Sequence, residues 1–387
     1  MVKTKPLKIA YCTPSLYRAG GVERVLTMKA SYLAERLGYD VTIILTDGRD
    51  KPTAYPLSPK VRVINLDIGF EELWGCPFLK KVAVYLRKQR VFKRKLRDEL
   101  MRLRPDITVS LLRREINFIC DIPDGSRKMG ELHVSHDHYR NFEENEANPL
   151  KQLFAYYWMK SLKRKLRRLD RFVVLTHEDA VCWKELPNVQ VIPDPLSLPV
   201  GERSPLTAKR VVAVGRYTYQ KGFDLLLQAW AKVHGMHPDW QLHVYGAGNR
   251  QAYEELRDEL DIDASCCQLH GATPDIRREY LQSSIFVFSS RFEGFGMVLL
   301  EAMSCGLPVV SFDCPCGPKD IIDDGHDGIL VPTGNVDLLA CQLGQLIEAP
   351  ERRQALGVAA QKKASQFTME QLALEWQKLF ERLKVES

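Results

Sequence analysis

The chain has 387 residues, enough for two domains of ordinary size, and its 45% hydrophobic and 27% charged content is that of a globular protein. No run of about 18 apolar residues occurs, so no spanning helix is predicted. The net charge of +6 divides unevenly: residues 1–200 hold 36 Lys and Arg against 24 Asp and Glu, a net of +12, and the remainder carries −6.

The opening MVKTKPLKIAYCTPS has a basic start but too few apolar residues before Thr13 and Pro14 for a signal segment, so it reads as a first strand, LKIAYCTP (7–14). A loop ending in Gly20-Gly21 follows, then a helix from about Val22 to Leu37 and a strand at DVTIILT (40–46). Strand, glycine turn, helix, strand is a βαβ unit and predicts a parallel sheet. Further strands are expected at 61–67, 106–112 and 171–176. The proline-rich, aperiodic stretch around 188–206 reads as the connection between domains.

The second half restarts the same grammar. Strands are expected at 210–216, 240–248, 283–290, 307–313 and 328–332, with helices at 222–235, after Gly248, and at 294–306. FTMEQLALEWQKLFERLK (367–384) is an amphipathic helix. The expected organisation is an N-terminal Rossmann-like domain over 1–192, a linker over 193–207, a second Rossmann-like domain over 208–366, and a C-terminal helix over 367–387 that crosses back to the first. Two doubly wound α/β domains around one linker imply a central cleft, where the chemistry is expected.

The basic excess of the first half concentrates in two stretches. Residues 80–104 hold eleven basic and two acidic side chains; residues 151–171 hold eight and one. Val82, Tyr85 and Leu86, and Phe154, Tyr157, Trp158 and Leu162, interleave at helical spacing. Docking on an anionic membrane surface, tracking of a nucleic-acid backbone, and a plain solvated helix all fit such a pattern. No nucleic-acid motif accompanies the charge, so no nucleic-acid partner is expected. The ten cysteines are scattered, without CxxC pairs or histidines at zinc spacing, and are expected to be reduced thiols of a cytoplasmic protein.

The most informative stretch is SSRFEGFGMVLLEAMSCGLPVV (289–310). A strand ends near Ser290 and turns through Glu293-Gly294-Phe295-Gly296 into a helix carrying Glu301. Two glycines let the backbone approach a ligand, and the open amides at a helix start favour an anion. A second stretch, VGRYTYQKGFDLLLQA (214–229), places Arg216 after one strand and Lys221 before the next helix. Together these motifs resemble the family-4 retaining glycosyltransferases, and the resemblance extends over most of the chain.

The resemblance implies a GT-B fold and transfer of a sugar from a nucleotide donor. It implies that Glu293 lies at the donor sugar, that the backbone of Gly294, Phe295, Gly296 and Met297 receives sugar hydroxyls and the distal phosphate, and that Glu301 holds the ribose. Arg216 and Lys221 resemble the pair that grips the diphosphate. Fixed cations there stabilise the charge that builds on the leaving group without a metal. Gly20-Gly21-Val22-Glu23 resembles the family's GGxE loop, and Gly246, in Tyr245-Gly246-Ala247-Gly248, its nucleotide-side turn. The family's sugar-contacting histidine corresponds best to His133, through Glu131-Leu132-His133, with His136 and His138 as rivals. Departures are Asp194 in VIPDPL, where asparagine is usual, and the cysteines of Cys314-Pro315-Cys316.

The family-level expectation is a UDP-sugar donor, a glycan or lipid-linked acceptor of a bacterial surface polysaccharide, no metal or other cofactor, and peripheral attachment to the inner face of the cell membrane. A nucleotide-sugar epimerase or hydrolase of the same fold, or a non-catalytic nucleotide-sugar-binding protein, is the alternative. A Rossmann dehydrogenase needs G-x-G-x-x-G after its first strand, which neither CTPSLYRAGGVE nor VGRYTYQKG supplies.

Overall fold

A computed structural model of the protein describes residues 5–73, 77–139 and 149–385. The chain divides into two compact units, one formed by Met1–Pro193 with Met369–Ser387, the other by Asp194–Thr368.

Within the described residues of the first unit the elements run β1 (Lys8–Thr13), α1 (Gly21–Glu35), β2 (Asp40–Leu45), β3 (Arg62–Asn65), α2 (Phe78–Leu103) and β4 (Ile107–Ser110). They continue with β5 (Arg127–Glu131), α3 (Pro149–Leu166), β6 (Arg171–Val174), α4 (His177–Cys182) and β7 (Val189–Val191). The strands form one parallel sheet in the order β3-β2-β1-β4-β5-β6-β7. Every residue of β1 after Lys8 is buried, because both faces of the sheet are covered. Ile9 and Tyr11 enter the cluster shared with Leu26, Ala30 and Leu33 of α1, whereas Ala10 and Cys12 enter a second cluster with Phe92, Leu96 and Leu100 of α2. The i, i+4, i+8 spacing of those three α2 residues is its inward stripe.

The second unit comprises β8 (Arg210–Val214), α5 (Phe223–Met236), β9 (Gln241–Tyr245), α6 (Gln251–Glu259), β10 (Cys267–His270) and α7 (Ile276–Leu281). After these come β11 (Ile285–Phe288), α8 (Met297–Ser304), β12 (Val309–Asp313), α9 (Pro318–Ile321), β13 (Ile329–Pro332), α10 (Val336–Glu348) and α11 (Pro350–Ala364). Its sheet is again parallel, in the order β10-β9-β8-β11-β12-β13. The last helix, α12 (Met369–Val385), places Trp376, Phe380 and Leu383 in the cluster built on Ile9, Tyr11 and α1.

The stretch read as a connection differs in structure. Residues 189–191 pair as the edge strand β7, and most of 193–207 clusters with the second unit. There Leu196 and Leu206 are buried, and the Ser204 hydroxyl donates to the Ser283 carbonyl. Proline density hid this because it breaks helical period without preventing an extended segment from packing.

Candidate functional site

In each sheet the strand order reverses beside the first strand of its unit, at β1 between β2 and β4 and at β8 between β9 and β11. Ligands of doubly wound sheets sit beyond the carboxyl ends of strands at such a reversal. Arg216 and Lys221 follow the end of β8, and Glu293 follows the end of β11, so the second reversal brings together residues 72 positions apart.

The loop after β8 is tied down on both sides. Tyr217 donates its hydroxyl to the carbonyls of Val244 (3.0 Å) and His270 (2.8 Å). Gly246 lies so close to it that a Cβ there would be 1.7 Å from the Gly215 carbonyl oxygen, which requires glycine. A single 3₁₀ turn, Tyr219–Lys221, is then clamped to the end of β11. The Arg291 amide donates to the Gln220 carbonyl at 2.7 Å, and the Ser289 hydroxyl to that of Lys221 at 2.9 Å. The Arg291 guanidinium makes two bonds to Asp224 (2.8 and 2.5 Å) and lies 4.1 Å over the Tyr219 ring. Burial alone would raise the Asp224 carboxyl, but the Arg291 bonds outweigh it and hold the pKa below the usual range.

This scaffold presents the Lys221 ammonium 2.5 Å from Glu293 Oε1, with side chains only 13% and 8% exposed. Gln220 Nε2 donates to the Phe292 carbonyl (3.0 Å) and stands 3.4 Å from Glu293 Oε2. The Glu293 amide donates to the Pro315 carbonyl at 3.1 Å. The neighbouring Cys314 thiol is pushed well above its ordinary pKa by burial and by the Glu293 carboxylate, so it stays neutral. Arg216 is exposed and makes no side-chain ion pair among the described residues. The pair expected to grip a diphosphate is thus split: one cation is held on a carboxylate, the other faces solvent.

Gly294 is half-buried and Phe295 buried, and Gly296, at φ +99°, turns the chain into α8, whose first residue is Met297. No side chain caps that helix, so its leading amides keep no side-chain acceptor among the described residues. Glu301, on α8, is buried and engaged elsewhere than Glu293. It accepts from the Ser197 hydroxyl and, at 3.3 Å, from that of Tyr280. The sequence alone assigns no role to Gln220, Asp224, Arg291 or Ser197, and the resemblance places the Asp275–Tyr280 helix start only near the base. The Asp224–Arg291 and Glu301–Ser197 pairs join residues 67 and 104 positions apart, beyond any periodicity signal.

In the first unit Gly20 is the extended N-cap of α1 and Gly21 its first residue. His133, just past β5, has Nε2 3.4 Å from Glu131 Oε2. The two rival histidines build the next turn. The His136 ring lies edge-on to Trp183 and 2.6 Å from Asp137, while His138 stands 3.0 Å from the Ser135 hydroxyl and has its pKa lowered by burial. The His133 ring nitrogen faces the buried Glu131 carboxylate, whereas His136 meets the buried Asp179 through its backbone amide, at 2.7 Å.

Residues 199–363 match the family model described as glycosyl transferases group 1. The chain is similar to an uncharacterized glycosyltransferase of Haemophilus influenzae, 27% identical across 95% of this chain and 98% of that protein. It is also 35% identical to the amylovoran biosynthesis glycosyltransferase AmsD of Erwinia amylovora, across 43% of this chain and 46% of that one. Among solved structures, TarM of S. aureus, in complex with fondaparinux, alpha-GlcNAc-glycerol and UDP, has a TM-score of 0.76 at 15% identity, over 97% of this chain and 100% of that one. Two parallel-sheet Rossmann-like units, the second matched over residues 199–363 by the group 1 glycosyl transferase model, give this glycosyltransferase its GT-B fold.

Proposed function

We propose that the chain is a retaining glycosyltransferase of the family-4 kind, moving a hexose-type sugar from UDP onto a glycan or lipid-linked acceptor in bacterial surface-polysaccharide synthesis. The observation that carries this reading is the Lys221–Glu293 pair at the ends of β8 and β11, with Arg216 exposed beside it on the same loop. A diphosphate arriving there would meet Arg216 at once and share Lys221 with Glu293. As the sugar–phosphate bond breaks, negative charge grows on the departing β-phosphate, and the two cations stabilise it without a metal. Glu293, anchored through Lys221 and Gln220, is then placed for the transferring sugar, and Glu301 for the ribose. The leading amides of α8, from Met297, add donors for the distal phosphate.

Retention by same-face substitution suits this arrangement, with the leaving phosphate taking the acceptor proton. A UDP donor is in keeping with the UDP in the TarM complex, and a surface glycan with the amylovoran relative. The basic first unit is proposed to dock on the anionic inner leaflet. The supporting observation is that Val82 and Leu86 of α2, and Leu153, Tyr156 and Tyr157 of α3, are exposed among the Lys and Arg of those helices.

The test is a mass-spectrometric screen of nucleotide sugars, with and without polyprenyl-linked acceptors, in the presence of EDTA. Sugar transfer from a UDP donor that persists in chelator and yields a product with the donor's anomeric configuration is expected. Conversion of the donor without transfer would favour an epimerase or hydrolase, and dependence on added Mn²⁺ would overturn the metal-free reading.

A further inference from the structure

One buried ion pair in the first unit is used by none of the steps above. Lys29, on α1, and Glu131, the last residue of β5, form a salt bridge with both side chains only 2% exposed. The Lys29 ammonium is also enclosed by aromatic faces, 4.0 Å from the Trp376 ring centre and 5.2 Å from that of Tyr11. Replacing a buried pair by apolar side chains is often neutral or stabilising, so stability alone is a weak account of two ions in a core.

The geometry at Glu131 supplies a better one. Both contacts converge on one oxygen: Oε2 accepts from Lys29 and lies 3.4 Å from His133 Nε2, while Oε1 is buried without a hydrogen-bond partner among the described residues. Burial alone would raise the Glu131 carboxyl. The charge of Lys29 and the contact with His133 outweigh it, and the group stays ionised. A carboxylate can only accept, so the imidazole nitrogen facing it must carry the proton. In a neutral ring the basic atom is then Nδ1. A protonated carboxylic acid at the same place would donate as readily as accept and would leave the tautomer undefined.

We propose that Glu131, held as a carboxylate by Lys29, is a positioning residue that fixes the His133 ring with Nε2 protonated and Nδ1 as its basic atom. This rests on the reading of His133 as a residue of the transfer site. Neither Lys29 nor Glu131 touches substrate; both act through the histidine, as an orienting carboxylate does behind other functional imidazoles.

The experiment is long-range ¹H–¹⁵N correlation on the full chain labelled at histidine, with His133 assigned through His133→Gln. At pH about 8, above the ordinary histidine range, the expected spectrum shows one neutral His133 tautomer, protonated at Nε2. Glu131→Gln alone strands an ammonium in the core and risks misfolding. The informative protein is therefore Lys29→Met with Glu131→Gln, which removes both charges at nearly constant volume, its fold checked by circular dichroism. In it the two tautomers should exchange, and kcat for UDP release from UDP-N-acetylglucosamine, UDP-glucose or UDP-galactose should fall on the order of tenfold with KM nearly unchanged. A single Nε2-protonated ring in the folded double variant would overturn the positioning role. Undiminished kcat in His133→Ala would instead remove the site reading beneath it, and the two failures are told apart by the spectrum.

Discussion

Removing Lys221 should uncouple stability from activity in a way that a surface lysine would not. In Lys221→Met the Glu293 carboxylate, 8% exposed, loses the ammonium 2.5 Å away and keeps, among the described residues, only Gln220 Nε2 at 3.4 Å as a side-chain partner. Stranding one member of a buried pair costs about 3–5 kcal/mol, and the glutamine contact places this case near 3. For a unit the size of residues 194–368, each kcal/mol is worth about 2–4 °C, so Tm should drop by roughly 6–12 °C. Adding Glu293→Gln removes the stranded charge and should recover most of that loss. Turnover should not recover, because both groups serve the departing diphosphate and sugar; losing one such stabiliser costs about 3 kcal/mol, on the order of a hundredfold. The assay is a double-mutant cycle of thermal melts read beside donor turnover. Additive melting losses would refute the coupling, and turnover that returned along with stability would refute the catalytic role.

Glu301→Ala should raise the donor KM more than it lowers kcat, and Glu293→Ala should do the opposite; exchanged phenotypes in steady-state kinetics would mean the ribose and sugar roles are reversed. Gly246→Ala forces a Cβ against the Gly215 carbonyl oxygen, and urea unfolding should show a loss on the order of 3 kcal/mol. Burial, Arg210 and His270 push the His243 pKa from 6.5 down to about 4. The folded state thus refuses a proton that the unfolded chain accepts, and the stability present above pH 6.5 is lost progressively down to about 4. His243→Gln should flatten that acid slope in denaturant titrations, and an unchanged slope would contradict the assignment. Liposome co-sedimentation should require anionic lipid and weaken with salt, each engaged basic residue adding about 1 kcal/mol; equal binding to neutral vesicles would rule out electrostatic docking.

Much of the fold was legible because its signals are local. Both faces of each sheet are covered, so strands such as β1, β2 and β11 read as short apolar runs between glycine turns. The short strands β7 and β10 escaped because mostly half-buried, mixed-polarity residues such as Gln190 and Gln268 build them. At the candidate site the glycines and the Arg216, Lys221, Glu293 and Glu301 positions were legible from motif spacing. That Lys221 rests on Glu293, and that Glu301 is satisfied by Tyr280 and Ser197, was not. The first is a pairing across the sheet reversal, set by strand order, and the others join separate segments, which no periodicity encodes. Likewise Glu131-Leu132-His133 was visible as a pattern, whereas Lys29, 102 residues before Glu131, was visible only as the single lysine of α1.

The placement of α12 has a consequence for synthesis. Its Trp376, Phe380 and Leu383 complete the hydrophobic cluster that Leu26, Ala30 and Leu33 of α1 begin. On the ribosome that face of α1 therefore waits while residues 194–368 emerge, an interval on the order of ten seconds or more at ordinary elongation rates. The intervening unit has its own core and can close during the wait. The first-made unit is thus the last to be finished, and for that interval its uncovered stripe is a natural target for chaperones or for premature association between nascent chains.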